Sequence, residues 1–515
     1  MAASLNDIRA PDAARWIRAA APGGRLVSDS RQVKPGDVFF AYPGDALDGR
    51  RFIGAALEAG AAAVVFDPAG YEWDAAVATP RLAVPDLKKN AGPIAHAVLG
   101  HPDRDMFSVA VTGTNGKTSC ALWTAQALAR LGETAAVIGT LGVGLVRKSQ
   151  IDPQFDVTGY TTPDAVLLAQ KLADLNAAGA TALAIEASSI GLVQERTAGM
   201  HVDVAIFTNL TRDHLDFHGD MASYEAAKVR LFEWDGLRHA VINLDDAAGR
   251  RLVAHLRARF PDLHVTGYTL QADAVAPEGV AVLRAGGVRS KNAGTEFQVE
   301  TPAGNATVRT RLVGNYNVSN ALAVLGALLA KGAALKHAVE VLETLAPAPG
   351  RMQQMGGQDA PMVVIDYAHT PDALEKTLAA LRQVADDRGG QLWCVFGCGG
   401  DRDPGKRPQM GRIAQAADQV LVTSDNPRSE EPGAIIAQIV AGMDAQHPGS
   451  RLQTVEDRAS AILLAVKQAA KADVILLAGK GHEPYQEIKG RKIPFSDADH
   501  ASLALTARLT MLRTN

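Results

Sequence analysis

Cysteine is nearly absent from this chain, with three residues in 515. That excludes a disulfide framework and points to a reducing compartment. Cys394 and Cys398 fall in and just after an apolar run, with no His or Cys cluster to complete a metal site, so a buried, unreactive pair is expected. Aromatics make up only 5% of the chain against 47% apolar residues, so the cores must be built mostly from Ala, Val and Leu. An excess of one charge is missing too. The formal net charge of −4 offers no bulk attraction to nucleic acid or an anionic membrane. No charge-free apolar stretch reaches the ~20 residues that span a bilayer. Met1–Trp16 carries Asp7, Arg9, Asp12 and Arg15 where a signal peptide needs an apolar core. A cytoplasmic location, without nucleic acid and without membrane insertion, is the expectation.

What is present is alternation. The length of 515 residues leaves room for about three domains at roughly 150 residues each. Short β-type runs at Asp37–Ala41, Ala62–Phe66, Val109–Thr112, Ala135–Gly139, Leu183–Glu186, Val202–Thr208, Ala240–Asn243, Met362–Asp366, Leu392–Phe396, Gln419–Thr423 and Val474–Ala478 alternate with helical patterns. Continuous Val/Ile/Leu runs between helices predict parallel sheets covered on both faces, hence an α/β fold. Gly100–Arg104 and Ala346–Gly350 read as junctions, dividing the chain into domains 1–104, 105–345 and 346–515. Residues 260–312 differ: Gly-rich, with alternating runs at Phe297–Thr301 and Ala306–Arg311, they predict an antiparallel meander inserted in or flanking the middle domain.

Thr112-Gly113-Thr114-Asn115-Gly116-Lys117-Thr118 joins an apolar strand to an Ala/Leu-rich helix. Strand, Gly-rich turn, Lys-Thr, helix is the layout of a phosphate-binding loop. Backbone N–H groups close around phosphate oxygens, Lys117 reaches the terminal phosphates and Thr118 ligates Mg²⁺. The usual spacing would put the first glycine at 111, where Val111 stands. Six further polar clusters also sit just after strands: around Glu186–Ser189, Asn209–His214, Asp366–His369, Gly397–Arg402, Asp425–Arg428 and Gly479–Glu483. Ligands of open α/β sheets bind at that edge, so one site between two domains is expected. Glu186 and His214 are candidate Mg²⁺ ligands, since that ion keeps waters and phosphate oxygens and needs few protein groups. Lys228 lies in a helical pattern and reads, on pattern alone, as a solvated lysine. Asn315, Asn317 and Asn320 open an Ala/Leu helix, and capping accounts for one of them. Arg351, Arg402, Arg407 and Arg428 suit bidentate recognition of carboxylate or phosphate. No Ser-His-Asp order, Cys-His pair or zinc spacing stands out, so a reaction without a protein nucleophile fits better, with Mg²⁺, Lys and Arg positioning a nucleotide and an acceptor anion.

These blocks together resemble the ATP-dependent Mur ligases of peptidoglycan synthesis, over nearly the whole chain. They are Thr112–Thr118, Thr208–Asp216, Tyr224–Lys228, Gly314–Ala321 and Asp366–Asp372. The resemblance implies a central P-loop-type parallel sheet with the ATPase site. It also implies a Rossmann-like C-terminal domain and a smaller N-terminal α/β domain for a UDP-sugar. It implies cofactors ATP and Mg²⁺, and a ligase that phosphorylates a nucleotide-linked carboxylate and then joins it to an amine, in cell-wall biogenesis and so in cell shape and division. Asp425-Asn426-Pro427-Arg428 is similar to the block of those members that add meso-diaminopimelate to UDP-MurNAc-dipeptide, where the Arg faces a carboxylate that L-lysine lacks. Arg402, Gly479 and Glu483 are implied as the other amino-acid contacts. Ser28 and Ser30 are implied at the UDP end, and Thr161, Thr162, Ser188, Gln194 and Arg196 at the sugar and peptide. Gly113, Thr114, Asn115, Gly116, Lys117, Thr118, Asn317, Arg351, Asp366 and His369 are implied around ATP. Thr118, Glu186, His214 and Lys228 are implied around metal, with Lys228 carbamylated (N6-carboxylysine). Lys117, Glu186, His214 and Lys228 would be the catalytic set. The family usually has His where this chain has Ile190. Alternatives are an L-lysine-adding or other Mur ligase, a folylpolyglutamate synthetase-like ligase, and, from another class, a P-loop switch or motor.

Overall fold

The computed structural model describes residues 9–45, 47–291, 294–444, 447 and 449–514. Asp7 lies outside them. Arg9 precedes, and Asp12 and Arg15 lie within, a helix at Ala10–Ala20.

Three mainly parallel sheets follow one another along the chain. The first is β1 (Leu26–Val27), β2 (Val38–Ala41), β3 (Ala63–Phe66) and β4 (Arg81–Ala83), adjacent in that order and all parallel. The second holds β5 (Phe107–Thr112), β6 (Ala135–Gly139), β7 (Gly142–Val146), β8 (Ala182–Glu186), β9 (Val204–Phe207), β10 (His239–Asn243), β11 (His264–Thr269), β12 (Ala281–Lys291), β13 (Gly294–Thr301) and β14 (Gly304–Thr310). Its order is β14-β13-β12-β11-β10-β9-β5-β8-β6-β7. The third holds β15 (Gln353–Gly356), β16 (Met362–Asp366), β17 (Leu392–Phe396), β18 (Gln419–Val422), β19 (Arg451–Thr454) and β20 (Val474–Ala478), ordered β15-β16-β20-β17-β18-β19. A hairpin, β21 (Tyr485–Ile488) and β22 (Arg491–Pro494), stands beside it.

The central strands are buried on both faces, which is why they read as unbroken apolar runs. Val109 and Val111 of β5, Ala182 and Ala184 of β8, and Val204 and Ile206 of β9 pack on one side, with helices Lys117–Arg130 and Asn315–Ala330. Their alternates Ala110, Leu183, Ile185, Ala205 and Phe207 pack on the other, with helices Ala165–Ala177 and Ala247–Arg259. The same alternation divides Cys394, Phe396 and Val422 from Trp393, Val395 and Leu421 in the third sheet. Cys394 and Cys398 are buried free thiols; burial pushes both up, Cys398 to about 12.

The expected meander needs correcting. β11 pairs parallel with β10 and β12 pairs parallel with β11, so only β12–β13–β14 is antiparallel. The segment is therefore an extension of the central sheet rather than a separate unit. Phe297, Val299 and Val308 bury into the same core as the Asn315–Ala330 helix, and that burial ties the strands to the sheet.

β5 lies between β8 and β9. The chain leaves β5 toward β6 on one side and later returns to β9 on the other, so the turn after β5 sits at a topological switch point. The first sheet leans on the second through helix Ala165–Ala177, whose Val166 and Ala169 bury into the N-terminal core. Among the described residues no helix is long and apolar enough to cross a membrane.

Candidate active site between the domains

The turn after β5 is built for close approach. Gly113 and Gly116 have φ of 145° and 89°, a region that side chains avoid. A Cβ on Gly113 would stand 1.8 Å from Thr208 Oγ1. Lys117 opens the following helix, and its Nζ donates to the carbonyls of Gly113 (3.0 Å) and Thr114 (2.8 Å). Burial pushes its pKa down. The Thr118 hydroxyl donates to Glu186 Oε2 (3.1 Å) and accepts from Arg351 Nη2 (3.0 Å). Glu186, at the end of β8, is 1% exposed. Its Oε1 accepts the Thr140 N–H (2.8 Å) and its Oε2 the Thr140 hydroxyl (3.2 Å), which also meets Thr161 Oγ1 (3.1 Å). Asn115 N–H donates to Asn209 Oδ1, and its amide to Asp372 Oδ2 (3.1 Å) in the third domain.

Lys228 is not a solvated lysine. Helix Met221–Val229 buries Tyr224, Ala227 and Lys228 on one face, leaving Lys228 2% exposed. Its Nζ lies 4.3 Å from the Tyr224 ring centre and donates to Gly113 O (2.8 Å). Burial, and then the charge of Lys117, hold its pKa well below the ordinary lysine value. His214 has φ 53°. Its Nε2 is 3.4 Å from Asp213 Oδ2, and His369 Nε2 is 3.8 Å from the same oxygen. Burial pushes His214 down to about 4, so its imidazole is neutral near pH 7.

The residues expected at the UDP-sugar and peptide lie along or near the seam with the N-terminal domain. The Ser28 hydroxyl donates to Asp164 Oδ1 (2.8 Å) across it. Ser30 opens a short 3₁₀ turn. Gln194 bonds Asp45. Thr162 Oγ1 donates to the Glu186 carbonyl (2.7 Å), and Ser188 Oγ accepts from Gly191 N–H (3.0 Å). Arg196 donates to Thr162 O (2.8 Å) and lies over Tyr160. Ile190 is half-buried. An imidazole does reach the spot beside it, from elsewhere in the chain: His218 Nε2 lies 2.9 Å from Ser189 Oγ.

From the third domain, Arg351 stacks on Tyr367 (4.4 Å), and its Nε is buried without a partner among the described residues. Asp366 accepts Met352 N–H (2.8 Å), and burial raises its pKa. His369 Nδ1 faces Tyr367 O (2.7 Å). Asn317 is buried and donates to Val313 O (2.9 Å). Beyond Tyr367 lies a second cluster. The Tyr367 hydroxyl donates to Glu483 Oε1 (3.3 Å), and Asn426 Nδ2 donates to Glu483 Oε2 (2.8 Å). Arg428 has φ 51°. Its Nε donates to Glu487 Oε2 (3.2 Å) and its Nη1 to Gly400 O (2.7 Å). Asp425 is buried beneath Gly479, Pro427 O accepts Glu430 N–H, and Arg402 is exposed at the rim with Nη1 on Asp401 O.

The phosphate-loop, Glu186, Lys228 and Arg351 groups thus meet around one point. The Asp425–Arg428 and Gly479–Glu483 groups meet around a second, and Tyr367 bridges the two. Sequence reasoning gave no role to Thr140, Tyr367, Lys480 or His218. Tyr367 and Lys480 lie inside strand-end clusters, and Thr140 directly follows the strand Ala135–Gly139, which was the signal available. Among the described residues no group of three or more His, Cys, Asp or Glu side chains is poised to hold a metal by itself. The Thr118 hydroxyl against the Glu186 carboxylate does fit an ion that takes few protein oxygens. A buried Lys, an Arg with an orphaned Nε and a hydroxyl–carboxylate pair suit phosphoryl transfer to an acceptor held between domains.

Comparison with known proteins agrees in all three segments. The Mur ligase middle-domain profile matches residues 111–328, the Mur ligase glutamate ligase domain 350–481, and the Mur ligase family catalytic domain 25–98. A UDP-N-acetylmuramoyl-L-alanyl-D-glutamate–2,6-diaminopimelate ligase of Janthinobacterium sp. (strain Marseille) is 63% identical over 494 residues, 96% of each chain. The ligase of that name from Ralstonia nicotianae is 53% identical, covering 97% of this chain and 98% of its own. A solved structure of a ligase of that name superposes with TM-score 0.64 at 36% identity, covering 94% of this chain and 95% of that one. The MurF ligase of Thermotoga maritima in complex with ADP shares the fold, with TM-score 0.66 at 19% identity over 95% of this chain and 98% of that one.

Proposed function

The chain belongs to the Mur ligase family, and from that premise we propose that it adds meso-2,6-diaminopimelate to the D-Glu carboxylate of UDP-N-acetylmuramoyl-L-Ala-D-Glu, consuming ATP, in peptidoglycan precursor synthesis. The single observation that carries this beyond the family is the amino-acid cluster, with Arg428 at one end and Glu483 at the other. A pocket with a guanidinium at one end and a carboxylate at the other matches an amino acid that carries a second carboxylate and an amino group. L-Lysine would place its ammonium against the Arg428 guanidinium and offer it no carboxylate.

In this reading the γ-phosphoryl group passes from ATP to the D-Glu carboxylate, giving ADP and an acyl phosphate. The amine then attacks the acyl carbon and phosphate leaves. Lys117, now resting on loop carbonyls, turns to the phosphates, and Arg351 supplies positive charge from the facing domain. Asn317, Asp366 and His369 hold the nucleotide. Ser28, Ser30, Thr161, Thr162, Ser188, Gln194 and Arg196 hold the UDP-sugar and peptide. Mg²⁺ held by Thr118, Glu186 and His214 would offset phosphate charge. The depressed pKa of Lys228 favours the free amine, the form that adds to carbon dioxide and loses a proton to become a carbamate. The same reading proposes domains 1–104 for UDP-sugar, 105–345 for ATP and 346–515 for the amino acid, in a cytoplasmic monomer.

The test is product mass and phosphate release with ATP, Mg²⁺, the UDP-dipeptide and either meso-diaminopimelate or L-lysine. A tripeptide product with the first and little with the second is expected. Equal use of lysine would overturn the specificity argument, and no product with either amine would overturn the assignment.

A further inference from the structure

Resting on that assignment, we infer that Lys480, which touches no solvent, is the positioning residue that sets both ends of the diaminopimelate pocket at once. It lies in the turn after β20 with 0% exposure. A buried ammonium needs acceptors on every side, and Lys480 has them. Its Nζ donates to Glu483 Oε2 (2.9 Å) and Asn426 Oδ1 (3.0 Å), and Asp425 Oδ1 stands 3.9 Å away. The consequence runs in two directions. Toward the amine end, burial alone would raise the Glu483 carboxyl, but Lys480 with the Asn426 amide outweighs it and keeps the group below its ordinary range. Toward the carboxylate end, Asn426 Oδ1 accepts both Lys480 and the Glu487 N–H (2.9 Å), which fixes the amide so that its NH₂ faces Glu483. Glu487 in turn accepts the Arg428 N–H on its carbonyl (2.9 Å) and the Arg428 Nε on its carboxylate (3.2 Å). One ammonium therefore spaces Glu483 and Arg428 through Asn426 and Glu487. Its removal frees Glu483 to swing and Asn426 to flip, so both recognition groups lose their placement together.

The experiment is steady-state kinetics of Lys480→Met, Glu483→Gln and the double variant, varying each substrate in turn. Lys480→Met should raise the KM for meso-diaminopimelate about tenfold or more, the loss of one charged hydrogen bond. The KM values for ATP and the UDP-dipeptide should stay within about twofold, because those sites do not touch Lys480. Selectivity against L-lysine should narrow, and the double variant should be worse than Glu483→Gln alone, but by less than the factor that Lys480→Met costs the wild type, because the route to Arg428 through Asn426 is lost only when Lys480 is removed. An unchanged diaminopimelate KM, or all three KM values rising together, would overturn the inference. If methionine is not accepted in the core, Lys480→Gln carries the same reading, and failure of both to fold would assign Lys480 to stability alone and overturn it. Wild-type protein that makes no tripeptide would instead indict the ligase assignment, so the two failures are distinguishable.

Discussion

At the scale of single residues the site depends on how tightly Glu186 is held. Its two oxygens receive a backbone N–H and two hydroxyls, so the carboxylate has one available position. That position exists because Gly139, at the end of neighbouring β6, has no side chain: a Cβ there would stand 2.1 Å from Glu186 Oε1. Carboxylate and glycine come from adjacent strands, so neither a motif nor a spacing announces their contact. Gly139→Ala should displace Glu186 from Thr118 and cut kcat by about 10- to 100-fold, the range seen when groups that orient catalytic ligands are lost. Thermal unfolding would check that the fold survives. Unchanged kcat would mean that the Glu186 position is not critical. Lys228 teaches a related lesson. Helical periodicity placed it among solvated lysines, whereas tertiary packing buries it, because Tyr224 and the Gly113 carbonyl offer a ring face and an acceptor from elsewhere in the chain.

At the scale of secondary-structure elements, the proposed amino-acid pocket rests on a buried ion pair. Arg458, at the start of helix Arg458–Gln468, and Asp497, at the start of helix Asp497–Thr514, are both 0% exposed and bond each other through two nitrogens at 2.8 and 2.7 Å. Arg458 also donates to Ala478 O (3.0 Å) and Ser424 O (3.5 Å), the residues just before Gly479 and Asp425. Two helices are thereby locked beneath two loops. Arg458→Met should lose about 3–5 kcal/mol, because Asp497 is left as a buried, unpaired charge. Adding Asp497→Leu should restore part of that, as measured by denaturant unfolding; equal instability in the single and double variants would refute the pair's role. Elements explain what was legible. The eleven expected strands all appear, because parallel strands buried on both faces must be continuous apolar runs. Three of the unforeseen ones have no such signature. β1 is two residues long, β15 alternates partly exposed residues, and β22 is exposed throughout. β11 was misassigned because it falls in the Gly-rich stretch 260–312, read as one meander from the alternating runs at Phe297–Thr301 and Ala306–Arg311, although its partners on both sides run parallel.

For the whole molecule, the reaction requires groups from two sheets to meet, and the third domain already lies against the central one. Arg351 reaches Thr118, Asn115 reaches Asp372, His369 approaches Asp213, and Arg212 pairs with Asp403 at 3.1 Å. These contacts are polar, few and partly exposed; Arg212 is 49% and Asp403 24% exposed. An exposed ion pair contributes about 0–1 kcal/mol. Val313 and Tyr316 also pack against the third domain's core, while the polar contacts around them are ones that small changes re-populate, as substrate entry and product release require. Asp403→Arg replaces an attraction with a repulsion and touches none of the site's own residues. A shift of about 1 kcal/mol would move the open-to-closed ratio roughly fivefold. The mean separation of the C-terminal and central domains in X-ray scattering should then increase in the variant without ligands and return toward wild type with an ATP analogue and the UDP-dipeptide, whose binding favours closure. The KM for ATP should rise by a comparable factor, because the nucleotide role proposed for Arg351 requires the domains to meet, and added salt should weaken the wild-type contact in the same direction. Identical scattering and ATP kinetics in variant and wild type would mean that closure does not depend on the Arg212–Asp403 pair.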